Sequence, residues 1–433
     1  MSDTSPAPRP PRKPRRRWRW HVPPALMHGA EQLEGGEILD DMKGEQALVM
    51  WQSVRDVSLW GSVPPEDRGS LFTADAHARR LRQVEEAGIE PSILQPLHAI
   101  AEILRTPEGV VEADVTAACR AVSKWADEAG MLGTALAFAQ AGAVASPTDA
   151  ATGYKVGLLA RRRAEYARAE SWFRRVIGLG RQAKDWESYS LAFLGLANLY
   201  IQRGNYPLAR RFLIRCLRAA RRHGLREVQG KAYHDLFVVG YQTERTEEAY
   251  EAARAAFRAY GPRHPRLPSL ANDLGVYWLL QGQFALALEV FKAALPNIEH
   301  PCERLLTWGS LARAAGGVGQ REEFDRAWDE IWSYAGDWQK RENAPWALLD
   351  AARGATSLRD WARAERAAVT ARDLAQSRGE GHVVTEAETV LDAVARKRRI
   401  DEVASTAAPP PDAGAESLAG DVKRYLGVRA PVG

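Results

Sequence analysis

Between residues 37 and 398 the apolar residues recur three and four positions apart, with polar residues between them. No run alternates apolar and polar as a half-buried strand does. Ala, Leu, Arg and Glu dominate this span, and all favour helix. Gly, Pro and short polar clusters interrupt it at close intervals, so the pattern predicts helical hairpins rather than a few long helices. Residues 44–60 predict one helix, with Leu48, Trp51, Val54 and Val57 apolar. Two more are predicted over residues 73–87 and 91–104. Pro91 opens the second where a missing N–H costs nothing. Pro96, further in, is expected to kink that helix or delay its start. A last helix is predicted over residues 383–398, with Ala387, Val390, Leu391 and Val394 along one stripe.

The pattern also repeats. Residues 193–216 read FLGLANLYIQRGNYPLARRFLIRC, with Leu196-Ala197, Tyr200, a turn at Gly204, then Tyr206, Ala209, Leu213 and Cys216. Residues 271–294 return the same frame, with Leu274-Gly275, a turn at Gly282, then Phe284, Ala287, Phe291 and Ala294. Weaker copies fall at residues 119–142, 153–176, 233–256, 308–331 and 348–371. A small residue marks where the two helices of each copy cross, at positions 135, 169, 209, 249, 287 and 364; Phe324 takes that place in the remaining copy. The intervals are 34, 40, 40, 38, 37 and 40 residues. One hairpin cannot bury its apolar face alone, but stacked neighbours make a continuous core. Gly204, Gly282 and Gly319 suit the left-handed conformation that ends a helix.

This frame resembles the tetratricopeptide repeat (TPR), in its long-period form similar to that of kinesin light chain and large bacterial transcription activators. The resemblance implies an all-α fold: a right-handed TPR-like α-solenoid of antiparallel helix pairs, with an N-terminal helical cap and disordered ends. Residues 1–24 are expected to be a basic Pro/Arg-rich arm, 25–110 the cap, and 111–398 the array of about seven repeats with its capping helix. A linker over 399–416 and a short amphipathic segment over 417–433 are expected to follow.

Charge refines this picture. The net charge is +4, yet residues 1–20 hold Arg9, Arg12, Lys13, Arg15, Arg16, Arg17 and Arg19 against Asp3. The remainder, with 52 basic and 54 acidic residues, is close to neutral, which disfavours a nucleic-acid-binding body. Any contact with nucleic acid or anionic lipid is expected from residues 1–20 alone. Cys119, Cys216 and Cys302 lie far apart, with no CxxC, so neither a zinc site nor a disulfide framework is indicated, and a reducing cytoplasm is expected. No run of 18 apolar residues predicts a membrane span, and no apolar stretch after Arg15-Arg16 predicts export. Gly178-Leu-Gly180 and Gly316-Gly317-Val-Gly319 follow no strand and read as helix packing rather than a phosphate loop. His98 and His234 read as structural. No catalytic motif stands out, so a non-enzymatic protein without metal or cofactor is expected.

The TPR resemblance implies that the first helix of each pair lines a concave groove for a protein or peptide. The residues expected to carry binding there are Tyr154, Asn198, Asn272, Arg313 and Arg353. Tyr and Arg offer contact area and charge-assisted hydrogen bonds, and Asn can hold a backbone amide. The arginines favour a partner with acidic residues. Alanine at any of the five is expected to leave the fold intact. The Lys/Asn/Lys/Arg clamp that some TPRs close on a terminal carboxylate is not reproduced, because Leu158, Leu194 and Val238 occupy its slots. A regulatory TPR protein, linked to transcription or signalling and acting through a partner, is the alternative.

Overall fold

The computed structural model describes residues 35–261, 264–341, 343–400 and 413–427. The basic arm, most of the expected linker and the last six residues lie outside them. Among the described residues every regular element is helical.

Seven helix pairs follow one another: α5 (Glu112–Glu128) with α6 (Leu132–Ala145), α7 (Ala150–Arg162) with α8 (Tyr166–Ala183), and α9 (Trp186–Gln202) with α10 (Tyr206–Arg222). Then come α11 (Arg226–Gln242) with α12 (Thr246–Tyr260), α13 (Leu267–Leu280) with α14 (Phe284–Ala294), α15 (Pro301–Val318) with α16 (Arg321–Ser333), and α17 (Ala344–Ser357) with α18 (Trp361–Arg378). Each pair turns in the same way. A left-handed residue stands five positions before the crossing residue, at Gly130, Ala164, Gly204, Glu244, Gly282, Gly319 and Arg359. The next N–H then closes back onto a carbonyl five residues earlier: Asn205 onto Tyr200 at 2.8 Å, Arg245 onto Gly240 at 2.9 Å, Asp360 onto Ala355 at 2.9 Å, and likewise in the other four. That residue's own carbonyl accepts the first bond of the second helix, from Ala209 to Asn205 for example. One residue thus ends one helix and starts the next. All seven crossing residues, Phe324 included, are fully buried.

The chain forms two compact units, residues 1–189 and 190–433. In the first, α1 (Ile38–Asp41), α2 (Gly44–Ser62), α3 (Ala76–Glu86) and α4 (Pro91–Arg105) precede the pairs. Helix α6 reads GTALAFAQAGAVA from Gly133 to Ala145 and is buried on every side, packed by α1, α2, α5 and α7. Trp60 on α2 is fully buried; its indole N–H donates to the Pro107 carbonyl at 2.7 Å, and the Arg68 guanidinium lies 4.1 Å from its ring. Pro96 does not delay α4, which starts at Pro91 and runs through it. Pro96 is buried beside Ile93, Leu97 and Ile100, and that burial offsets the hydrogen bond its missing N–H forgoes.

In the second unit the antiparallel sense of a pair is visible along α11 and α12. A Cβ added to Gly230 would meet Tyr260, and one on Gly240 would lie 2.9 Å from that of Ala249. First helices of successive pairs run parallel: Gly309 faces Ala347 and Gly316 faces Gly354. Helix α19 (Gly381–Ala395) follows the last pair and ends earlier than predicted, because Lys397 turns left-handed and the Arg398 N–H closes onto Ala393 at 2.8 Å. A final helix, α20 (Ala413–Gly427), packs on α12, α13 and α14.

Candidate functional site

The first helices of the second unit are wired to one another through polar side chains. Asn198 on α9 donates to Asp235 on α11 at 2.7 Å. His234 Nε2 meets Asp273 on α13 at 2.8 Å. Thr307 on α15 donates to Asn272 Oδ1 at 2.8 Å, and Ser269 donates to Glu303 at 3.0 Å. Ser310 and Arg313 on α15 both reach Asp350 on α17, at 3.1 and 3.3 Å, and Arg353 reaches Glu386 on α19 at 2.7 Å. Three of the acceptors, Asp235, Asp273 and Asp350, hold the same place in their repeats, fourteen residues before the crossing. Each accepts from the preceding first helix. These bonds tie neighbouring repeats together across about 35–40 residues of sequence.

The ladder borders a cavity of about 470 Å³ at the N-terminal ends of α13 and α15. His234 and Asp235 come from α11; Pro268, Ser269, Asn272 and Asp273 from α13; Glu303, Leu306 and Thr307 from α15. The connections supply Pro265, Arg266, Asn297, Ile298, Glu299 and His300. Four carboxylates thus face the cavity against one permanent cation, Arg266. His234 is buried, with Nδ1 3.5 Å from the Tyr260 hydroxyl. Tyr260 in turn stacks on His264 with ring centroids 4.3 Å apart. Burial raises the Tyr260 phenol far above its ordinary range, so it stays a neutral hydrogen-bonding group. Together these groups can receive a positively charged or hydrogen-bond-donating group.

The residues expected to carry binding fall in different places. Asn272 lines the cavity, and Asn198 adjoins it through Asp235. Arg313 and Arg353 do not line it; they share Asp350, and their side chains are only 13% and 14% exposed. Tyr154 belongs to the first unit, half-buried, with its ring 5.8 Å from that of Phe173. The expectation that all five stand clear of the packing fails at Asn272, which is 9% exposed and spans α13 and α15. Its side chain points toward the neighbouring first helix, which a one-repeat frame does not reveal. Reasoning from sequence missed Asp235, Asp273 and Glu303, and read His234 as structural while placing it on the groove side of its first helix. The recurring aspartate at one frame position was the available signal.

No protein-family model matches the sequence, and no curated protein matches it either. Solved structures resemble it at low identity. BtubC (BKLC) from P. vanneervenii is 16% identical, over 53% of this chain and 92% of that one, at a TM-score of 0.38. A STAND protein with a tetratricopeptide repeat sensor from Pyrococcus horikoshii is 12% identical, over 83% of this chain and 50% of its own, at 0.39. A Rap protein complexed with competence and sporulation factor is 10% identical, over 82% of this chain and 100% of its own, at 0.36. The seven identical turns and seven buried crossings make this chain a TPR-like helical-repeat protein.

Proposed function

We propose that the chain is a non-enzymatic TPR-like scaffold that binds a protein or peptide partner along its first helices. The cavity between α11, α13 and α15 receives a cationic group of that partner, a lysine or arginine side chain or an amino terminus. The observation that carries this reading is the cavity itself, with Asp235, Asp273, Glu299 and Glu303 facing it against Arg266 alone. A cation entering there meets preorganised acceptors, and salt weakens its attraction. An acidic partner segment has less support, because Arg313 and Arg353 already hold Asp350 and Glu386. Among the described residues no helix is long and apolar enough to cross a membrane.

A peptide array on the full chain tests this, with paired peptides that differ only in Lys/Arg against Glu. Basic peptides should bind more strongly, and Asp273→Asn with Glu303→Gln should weaken them by roughly tenfold, the scale of a good interface residue. Preference for the acidic peptides, retained in the double variant, refutes the proposal.

A further inference from the structure

Helix α20 is connected along the chain to α19 through residues 401–412, which lie outside the described ones. Its apolar residues recur as Leu418, Ala419, Val422 and Leu426, one face of a helix, and each is at most 2% exposed. Glu416, Ser417, Lys423 and Arg424 are exposed on the other side. This face merges with the core built by α12, α13 and α14. Beneath it α12 packs only lightly on α13, and the chain between them runs through Gly261 at φ +70°. Polar ties are few. Arg254 on α12 donates to the Gly414 carbonyl at 3.3 Å, and Lys423 lies 3.4 Å from Glu289 on α14, both of these last side chains well exposed. The helix is therefore held by a short aliphatic stripe, the way a helix ligand is held in a groove.

We propose that the surface of α12, α13 and α14 is a helix-docking site and that α20 is its tethered, exchangeable occupant. The occupant it takes in trans is the same segment of a second copy, whose residues fit by identity. Residue Ile400 and residue Ala413 are separated by twelve residues, a reach of up to roughly 40 Å when extended. Because α20 belongs to the same chain, its docking is intramolecular, so the free chain keeps its own helix. Exchange follows when the tether is cut or when a competing amphipathic helix is present in excess. That competitor must carry aliphatic residues at the spacing of Leu418, Val422 and Leu426, with a basic residue after the middle one to meet Glu289.

The test uses the full chain with a protease site placed within residues 401–412 and a fluorescent synthetic peptide of residues 411–429. After cleavage the labelled peptide should bind saturably and displace α20, whereas the uncut chain should bind at least roughly tenfold more weakly because of the tether. A peptide carrying Leu418→Glu and Val422→Glu should lose binding by a hundredfold or more. Because the chain folds before it is cut, failure of a truncated chain to fold does not interfere. Three results overturn the proposal: α20 stays bound and unexchanged under excess peptide after cleavage, cut and uncut chains bind alike, or the doubly substituted peptide binds as well as the native one.

Discussion

Replacing Gly316 by Ala sets helix propensity against packing. Gly316 lies inside α15, where Ala is favoured over Gly by about 1 kcal/mol. Its backbone, however, faces Gly354 of α17. An added Cβ would stand 2.6 Å from the Gly354 Cα and 2.7 Å from its carbonyl carbon, and closer still to its carbonyl oxygen. These are helix backbone atoms, so no rotamer change relieves the clash and α17 itself must shift. Gly309 against Ala347 lies two turns away in the same interface, and its contact is disturbed with it. Overpacking of this kind costs about 1–3 kcal/mol, so after the propensity gain a net loss of up to about 2 kcal/mol remains. Gly420 on α20 is the control, because a Cβ there meets nothing within 4 Å. Gly420→Ala should keep or raise stability, by up to about 1 kcal/mol. Urea unfolding of the full chain, followed by circular dichroism and tryptophan fluorescence, reads both midpoints. If Gly316→Ala unfolds at the parent's urea concentration or above, the close approach of α15 and α17 is refuted. A fall of Gly420→Ala alongside it would show that the loss has nothing to do with the helix crossing.

Two further outcomes follow from charge and burial. Burial alone would raise the Asp127 and Glu165 carboxyls, but Lys155 with Arg162, and Arg163 with Arg168, more than offset it and hold both below the usual range. Their stabilisation is therefore present above the ordinary carboxylate range and is lost as pH falls through the lowered values; an Asp127→Asn, Glu165→Gln variant should show a shallower acid loss in urea midpoints between about pH 7 and 3, and an unchanged slope would contradict this. Burial pushes the thiols of Cys119 and Cys216 up to about 12, the latter aided by Asp235, whereas Cys302 is half-buried. In native protein at mildly alkaline pH a thiol reagent should modify Cys302 first, and mass spectrometry showing Cys119 or Cys216 labelled at the same rate would disprove their burial.

The hairpin frame was legible in the sequence because its determinants are local. Small residues at 135, 169, 209, 249, 287 and 364 recur at near-constant intervals, and burial at a helix crossing selects for them whatever the neighbours are. Glycines at 204, 282 and 319 announced three of the turns for the same reason. The matching turns at Ala164 and Arg359 were not announced, and the one at Glu244 only as a polar Glu-Arg-Thr break, since each adopts a left-handed conformation that its own side chain disfavours. Those residues are held by the closing hydrogen bonds and by the two helices they join. The groove residues were legible as polar positions on first helices, but their directions were not. Whether Arg313 faces a partner or Asp350, and whether Asn272 faces solvent or Thr307, depends on a side chain some 35–40 positions away. The amphipathic stripe of α20 could likewise be read from Leu418 to Leu426, while its seat on α12, α13 and α14 could not. An apolar face specifies that it must be covered; only the folded array, with its lightly packed junction between α12 and α13, specifies by what.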